Sequence, residues 1–213
     1  MLFRSPDMRA VFMEPLACCL RALDRVSLAE EDTAVIIGAG AVGILFMPLL
    51  RDAKVKSLVI ETRPERLALA RKWGATDGCI VGERDVSDFA KQHTQGRGAD
   101  LIILSVVNPT TLESALRAVR DGGTILIFGS KPKNEFALDW WDVWRREINL
   151  ISSYSATPDL MLRAMALLAR EDYQLESLIT HQISLQNAQT GFDLVHQGKA
   201  GKVVITSHSA KLK

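Results

Sequence analysis

The sequence predicts an α/β protein built on a doubly wound parallel sheet, and three observations carry that expectation. Short unbroken apolar runs alternate with amphipathic stretches along most of the chain. Strands buried on both faces read as such runs, whereas half-exposed strands alternate. The amphipathic stretches open on proline or close on glycine, the punctuation of helices. The first apolar run ends in the string Gly38-Ala39-Gly40-Ala41-Val42-Gly43, which leads straight into a helical stretch. Repeated β-α units of this length imply right-handed crossovers, with helices on both faces of the sheet.

The first strand is expected at residues 33–38 (TAVIIG), a β-branched run closed by glycine. A helix follows at 41–53, with Pro48 inside it expected to kink it or loosen one turn. The second strand is 57–61 (SLVIE), and the helix at 64–73 begins on Pro64 and stops at Gly74. Residues 79–81 make a short strand, and 86–95 a helix closed by Gly96-Arg97-Gly98. The run 101–107 (LIILSVV) is a strand, 109–120 a helix stopped by Asp121-Gly122-Gly123, and 124–129 (TILIFG) the next strand. The pattern then changes: a polar loop at 131–136, a short aromatic helix at 140–146, a sixth strand at 148–154 and a helix at 158–170. The remainder holds a strand-like LITHQISL, a helix at 187–197, a Gly-Lys-Ala-Gly turn and a final strand KVVIT. No internal repeat or low-complexity linker interrupts the chain, and its last dozen residues are polar and expected to fray.

Composition narrows the classes of function. At 213 residues, 47% hydrophobic and 24% charged, the chain is neither disordered nor collagen-like. Its 26 Lys+Arg against 25 Asp+Glu leave a net charge of +1, which gives no reason to expect nucleic acid or a membrane surface as partner. No stretch approaches the ~18 apolar residues of a spanning helix, and MLFRSPDMR does not read as a signal peptide. Cys18, Cys19 and Cys79 form no CxxC pair, and His93, His181, His196 and His208 lack metal-ligand spacing. A reducing cytoplasm is the expected location.

The glycine string is weak alone, but here it follows a strand, opens a helix and is followed by Glu61 at the tip of the next strand, eighteen residues beyond Gly43. In a Rossmann dinucleotide-binding unit each part has a task. Gly38 permits the tight turn, Gly40 lets the backbone approach a pyrophosphate, and Gly43 lets helix and strand pack closely. The helix N-terminus offers unpaired N–H groups and a positive dipole end to the phosphates. Glu61 can accept both ribose hydroxyls, and its charge would repel a 2′-phosphate, so NAD is expected ahead of NADP. Arg63 is the counter-argument, since a guanidinium there could pair with that phosphate. Arg66, one turn into the helix, either lies along the adenosine edge or is solvated. The bland alternative is a glycine turn that binds nothing.

With these residues in place, the chain resembles the zinc-type medium-chain dehydrogenases, which include alcohol, sorbitol and threonine dehydrogenases. The likeness spans about residues 12–206 and rests on separated strings: MEPLACCLRAL, VIIGAGAVG, the Glu61–Leu67 segment E-x-x-x-x-R-L with the following GAT, AVRDGGTILIFG, SLITHQISL and GKAGKVVIT. It implies an NAD-dependent oxidoreductase that moves a hydride between a secondary alcohol and nicotinamide, the alcohol oxygen being polarised by zinc. By position, Gly38, Gly40, Val42 and Gly43 resemble the pyrophosphate turn, Glu61 the ribose carboxylate and Arg66 its neighbour. Phe128, Gly129 and Ser130 resemble the strand end that lines the nicotinamide. Glu14 matches a carboxylate that polyol-type members place beside the zinc; a helix-start acid favoured by the macrodipole is the equal alternative. Tyr154 matches a substrate-pocket tyrosine, although Ser153 stands where polyol-type members carry arginine. Ser105-Val106-Val107-Asn108 also departs from the family's Glu-Cys-Thr-Gly.

The resemblance further implies a division of the chain. Residues 1–16 correspond to an interdomain remnant, 17–172 to the Rossmann domain, and 173–213 to a return segment that normally joins a GroES-like catalytic domain. That domain supplies the zinc ligands in the family, and no Cys-His-Glu set replaces it here. Zinc needs three or four ligands, so Glu14 alone is not expected to hold it, and the chain by itself is expected to bind nucleotide without turnover. A nucleotide-binding module without catalysis is the alternative reading. The return segment's apolar residues would lack cover, so poor solubility, a mobile tail or association with another chain is expected. Trp140, Trp141 and Trp144 read as packed core or a dimer surface ahead of a substrate cage. The strand at 148–154 could pair with its copy, giving the homodimer or tetramer that the family implies. A small alcohol is the implied substrate.

Overall fold

The computed structural model describes residues 7–129 and 135–207. They fall into two compact units, Cys18–Ser155 and the described parts of Met1–Ala17 with Ala156–Lys213. Two helices come first, α1 (Asp7–Ala10) and α2 (Met13–Leu23), the division falling within α2.

The larger unit carries a six-stranded sheet. Its strands are β1 (Thr33–Ile37), β2 (Lys56–Glu61), β3 (Asp77–Ile80), β4 (Ala99–Leu104), β5 (Val119–Ile127) and β6 (Asn149–Ser152). All neighbouring pairs are parallel, and the order across the sheet is β3-β2-β1-β4-β5-β6. The order reverses direction between β1 and β4, and this is the point where open α/β sheets bind ligands, outside the carboxyl ends of the strands. The intervening helices are α3 (Ala41–Asp52), α4 (Pro64–Lys72), α5 (Val86–His93), α6 (Pro109–Ala118) and α7 (Trp140–Arg145). Every residue of β1 and β4 is buried, which is why both read as unbroken apolar runs. On one face Val35, Leu58, Ile60, Ile102 and Leu104 share a core with Phe89 of α5 and with Leu112 and Ala115 of α6.

Two places bear most on the sequence reading. Helix α3 runs unbroken through Pro48, with Gly43 to Leu50 all buried; packing on every side compensates for the one missing N–H near its end. Helix α6 stops at Ala118, and the chain enters β5 at once. Residues 121–123 are therefore strand rather than stop, with the register against β4 shifting between Ala99 and Leu101. Gly123 is required there because a Cβ would stand 2.6 Å from Val119 Cγ2. The glycines serve a bulge, not a helix end.

Charge ties the amino end of the sheet together. Asp100, at the start of β4, accepts hydrogen bonds from Thr33 N (2.9 Å), Arg120 Nε (2.6 Å) and Arg97 Nη1 (3.3 Å). Burial alone would push its pKa up, but the Thr33 N–H and the two guanidiniums overcome that and hold it below the usual aspartate value. Arg146, just before β6, donates to Leu116 O (2.7 Å), Val119 O, Asp121 (2.6 Å) and Asp142 (3.1 Å).

The smaller unit contains α8 (Pro158–Leu168) and a two-stranded parallel sheet of β7 (Ile179–Ser184) and β8 (Lys202–Thr206), crossed by α9 (Ala188–His196). Residues 156–172, assigned to the Rossmann domain in the sequence reading, cluster here with the return segment. Arg9 forks onto Glu176 (2.7 and 3.0 Å) and reaches Leu168 O (3.2 Å), which ties α1 to the end of α8. Gly191 of α9 packs on Val203 and Ile183, whereas Leu185, Phe192 and Val195 are exposed. Among the described residues, no helix is long and apolar enough to cross a membrane.

Candidate dinucleotide site

The glycine string lies at the carboxyl end of β1, and each glycine meets a different constraint. Gly38 has φ +98°, a conformation that side chains rarely adopt, and a Cβ there would stand 2.6 Å from Ser105 Oγ. Gly43, in the first turn of α3, is so close to the strand that a Cβ would stand 2.0 Å from Gly38 O. A Cβ on Gly40 would by contrast meet nothing within 4 Å beyond its own chain neighbours. The fold therefore explains Gly38 and Gly43 by internal contact, and leaves open space where Gly40 would let a ligand approach.

Gly40 is also the N-cap of α3 and makes no side-chain cap bond, and the first turn of α3 carries no acidic residue. Helices α5, α6 and α7 are by contrast closed by Asp85, Asn108 and Asp139, each accepting from the first turn. The uncapped N–H groups and positive dipole end of α3 suit an anion. Val42, in that first turn, is partly exposed.

Ser105 forms the floor between β1 and β4. Its hydroxyl lies 2.9 Å from Ile37 O and 2.8 Å from Gly38 O, donating into the end of β1. Gly129, after β5, runs so close that a Cβ would be 3.1 Å from Ser105 O. Gly38, Ser105 and Gly129 thus line up as backbone along the carboxyl ends of three strands. Phe128 stacks edge-on against Phe46 of α3, ring centroids 4.9 Å apart. The departure at 105–108 has a structural explanation: Ser105 pins the turn, and Asn108 caps α6 in a reciprocal box with Thr111. The sequence named Ser105 only as part of a departure from the family pattern and gave it no role; its one further signal was its place at the end of the fourth strand.

Glu61 ends β2 and is only 4% exposed. Its Oε2 accepts from Ala39 N at 2.7 Å. Its Oε1 accepts from Thr62 N (2.7 Å), Thr62 Oγ1 (3.0 Å) and Arg63 N (3.3 Å). The Arg63 guanidinium pairs with Glu65 at 2.6 Å, and Arg66 is half-buried in the first turn of α4.

Three further residues were expected at the site. Tyr154 is 92% exposed, just past β6. Glu14 is exposed in α2 and belongs to the smaller unit. Ser130 lies outside the described residues. No three His, Cys, Asp or Glu residues come together as a metal site among the described residues. Cys19 and Cys79 are buried, and burial pushes the Cys79 thiol up, away from the thiolate that zinc requires. The described residues do not fit a zinc centre. The tryptophans flank an open groove of about 770 Å³ at the start of β6, lined by Trp140, Trp144 and Ile148, at the opposite end of the sheet from the glycine turn. Trp140, Trp141 and Trp144 are each about two-thirds exposed, so the expected packed core is not what they form.

The sequence pattern of zinc-binding dehydrogenases matches residues 41–170, more than half of the chain. This protein belongs to that family. An erythritol/L-threitol dehydrogenase of Mycolicibacterium smegmatis is 29% identical over 202 residues, 91% of this chain and 54% of that protein. An L-threonine 3-dehydrogenase of Proteus mirabilis is 27% identical over 94% of this chain and 58% of its own length. The zinc-binding dehydrogenase fold is equally clear in structure. An alcohol dehydrogenase from Thermus sp. ATN1 superposes with a TM-score of 0.87 at 25% identity, covering 96% of this chain and 59% of that one. A zinc-binding dehydrogenase from Sinorhizobium meliloti, solved with NADP, gives 0.82 at 27% identity, over 91% and 58%. An Escherichia coli alcohol dehydrogenase solved with NADH gives 0.85 at 22% identity, over 95% and 60%, a likeness of fold alone. The chain spans somewhat over half the length of the relatives it matches, corresponding to their carboxyl-terminal part.

Proposed function

We propose that this chain binds a nicotinamide dinucleotide, with NAD as the cofactor, and supplies the nucleotide-binding part of an alcohol or polyol dehydrogenase. The observation that carries the reading is the open space at Gly40 in front of an uncapped helix, at the switch point of the sheet. The diphosphate rests on the backbone of residues 38–43, against the N–H groups of α3. The adenosine extends toward the end of β2, beside Glu61 and Arg66. The other half crosses Ser105 toward Phe128 and Gly129, and Ser130 belongs to the proposal by resemblance alone. When bound, the nicotinamide supplies hydride acceptance and donation; the chain's own residues hold it and set which face is presented. Glu61 places a carboxylate where NADP would carry a third phosphate, and the Arg63 guanidinium is already paired with Glu65, so both favour NAD.

Turnover is proposed to need zinc ligands from outside the described residues, so the chain alone is expected to bind without catalysing. Glu14 and Tyr154 are proposed to serve substrate chemistry only in that larger context. The small alcohol substrate, a cytoplasmic location in keeping with three cysteines outside any disulfide, and a homodimer or tetramer belong to the same proposal. Strand β6, at the sheet edge, is the surface for self-pairing. Titration of NADH fluorescence tests the reading: quenching or enhancement that saturates supports it, and a flat response at millimolar nucleotide ends it. Assays with secondary alcohols or threonine, with and without zinc, test the second part, and turnover by this chain alone would contradict it. Sedimentation tests the third, with a monomer at all concentrations as the opposing result.

A further inference from the structure

We infer that Ser105 is a positioning residue for the diphosphate: its hydroxyl holds the Gly38–Ala39 peptide in the orientation that leaves the uncapped start of α3 facing the crevice. The inference rests on the nucleotide-binding reading above. Pairing between β1 and β4 ends at Ile37 and Leu104, with the Ser105 N–H still reaching Ile37 O at 3.2 Å. Beyond that rung the chain turns into α3, and no backbone N–H among the described residues reaches Gly38 O. The Ser105 hydroxyl, 2.8 Å from it, takes the place of that donor. A serine hydroxyl has one proton, and Ile37 O, 2.9 Å away, already receives the Ser105 N–H. Gly38 O is therefore the acceptor that depends on the side chain.

The need for this bond comes from glycine. Gly38 sits at φ +98°, and glycine backbone can leave such a conformation at little cost. Its N–H is anchored on Ile60 O at 2.8 Å, which leaves rotation about its Cα–C bond unrestrained. The peptide that follows is a planar unit, with the Gly38 carbonyl at one edge and the Ala39 N–H at the other. Ser105 holds the first edge from the side of β4, and Glu61 accepts from the second at 2.7 Å from the side of β2. Glu61 Oε2 keeps a lone pair beyond that bond, so its reading toward the ribose stands. Without the hydroxyl the peptide loses its hold on the β4 side, and the N–H groups from Gly40 into α3 lose their fixed aim. Ser105 is itself well seated: its N–H extends the ladder, and Gly129 lies so close that a Cβ there would be 3.1 Å from Ser105 O. A site held in its binding shape before the ligand arrives loses less freedom on binding.

ADP binding read by calorimetry, and adenosine binding read by ligand-observed NMR at millimolar concentration, test the inference, because only ADP carries the diphosphate. A neutral hydrogen bond is worth about fivefold in affinity. Ser105→Ala, with its fold checked by circular dichroism, is expected to weaken ADP by about fivefold and to leave adenosine within about twofold of the unaltered chain. Ser105→Thr and Ser105→Val share one shape, with and without the hydroxyl, and carry the comparison even if Ser105→Ala does not fold. The threonine variant is expected to bind ADP about fivefold more tightly than the valine variant. Equal ADP affinity within either comparison would overturn the inference. So would an adenosine loss as large as the ADP loss, the mark of a generally loosened sheet end. Should the unaltered chain bind neither ADP nor NADH, the nucleotide-binding reading falls, and the inference with it.

Discussion

The two ends of the parallel sheet use polar groups in opposite ways. At the amino end, side chains are spent on one another: Asp100 collects a backbone N–H and two arginines, and Arg146 gathers two carbonyls and two carboxylates. At the carboxyl end Ser105 and Glu61 hold the turn itself, backbone lines the rest of the crevice, and the helix that faces it is left without a side-chain cap. The first arrangement leaves nothing for a ligand, and the second keeps donors in reserve. Stability and binding should therefore respond to different substitutions.

Asp100→Ala is expected to have the largest effect, because it strands a buried N–H and two guanidiniums together. The cost is about 3 kcal/mol, discounted from a fully buried pair because Arg97 and Arg120 are partly exposed. Urea unfolding measures it, and nucleotide affinity of the folded fraction should not change; a parallel loss of affinity would break the division between the ends. The same residue predicts acid lability. Its folded pKa lies below the unfolded value, so its contribution is complete above the ordinary aspartate pKa of about 3.9 and is lost as pH falls through the folded value. The gap between wild type and Asp100→Asn should therefore narrow below about pH 4. A gap that widened there would reverse the assignment.

At the other end, two alanine substitutions three residues apart, about 4.5 Å along the helix, should behave as opposites. Gly43→Ala drives a methyl into Gly38 O and is expected to cost about 2 kcal/mol of stability. Gly40→Ala meets nothing within 4 Å and keeps an allowed φ of −69°, so stability should stay within about 0.5 kcal/mol. Its methyl would nevertheless occupy the approach to the diphosphate, and NADH affinity is expected to fall by about tenfold. Thermal melts beside fluorescence titration check both. If Gly40→Ala bound NADH as well as wild type, the open space would not be a binding surface.

The sheet was legible because both its faces are covered: β1 and β4 bury every residue, so helix-period and strand-period signals do not mix there. The turn was legible because a positive φ at Gly38 and the close approach at Gly43 admit no other residue. The join of α6 to β5 was not. Asp121-Gly122-Gly123 carries the same letters whether it stops a helix or forms a bulge, and only the pairing of Ala99 and Leu101 with β5 decides between them. The role of Ser105 and the contact of Glu61 with the Ala39 N–H were also hidden, since both depend on atoms brought together from separate strands. The tryptophans were legible only as two alternatives, packed core or dimer surface, and an exposure of about two-thirds for each removes the first.

The smallest effect concerns the choice of cofactor and isolates charge from shape. Glu61→Gln keeps one carbonyl oxygen for the turn and removes the negative charge beside the second ribose position. Any weakening that comes from a poorer hydrogen bond to the Ala39 N–H is shared by NADH and NADPH, since both carry the same diphosphate. The ratio of their dissociation constants therefore cancels it and reports charge alone. One like charge at several ångströms in a partly solvated site is worth about 1 kcal/mol, so the preference for NADH should shrink by roughly fivefold. Raising salt should shrink the wild-type preference in the same direction, since screening acts on the same repulsion. A ratio unmoved by either change would mean that the paired Arg63, and not the Glu61 charge, decides between the two dinucleotides.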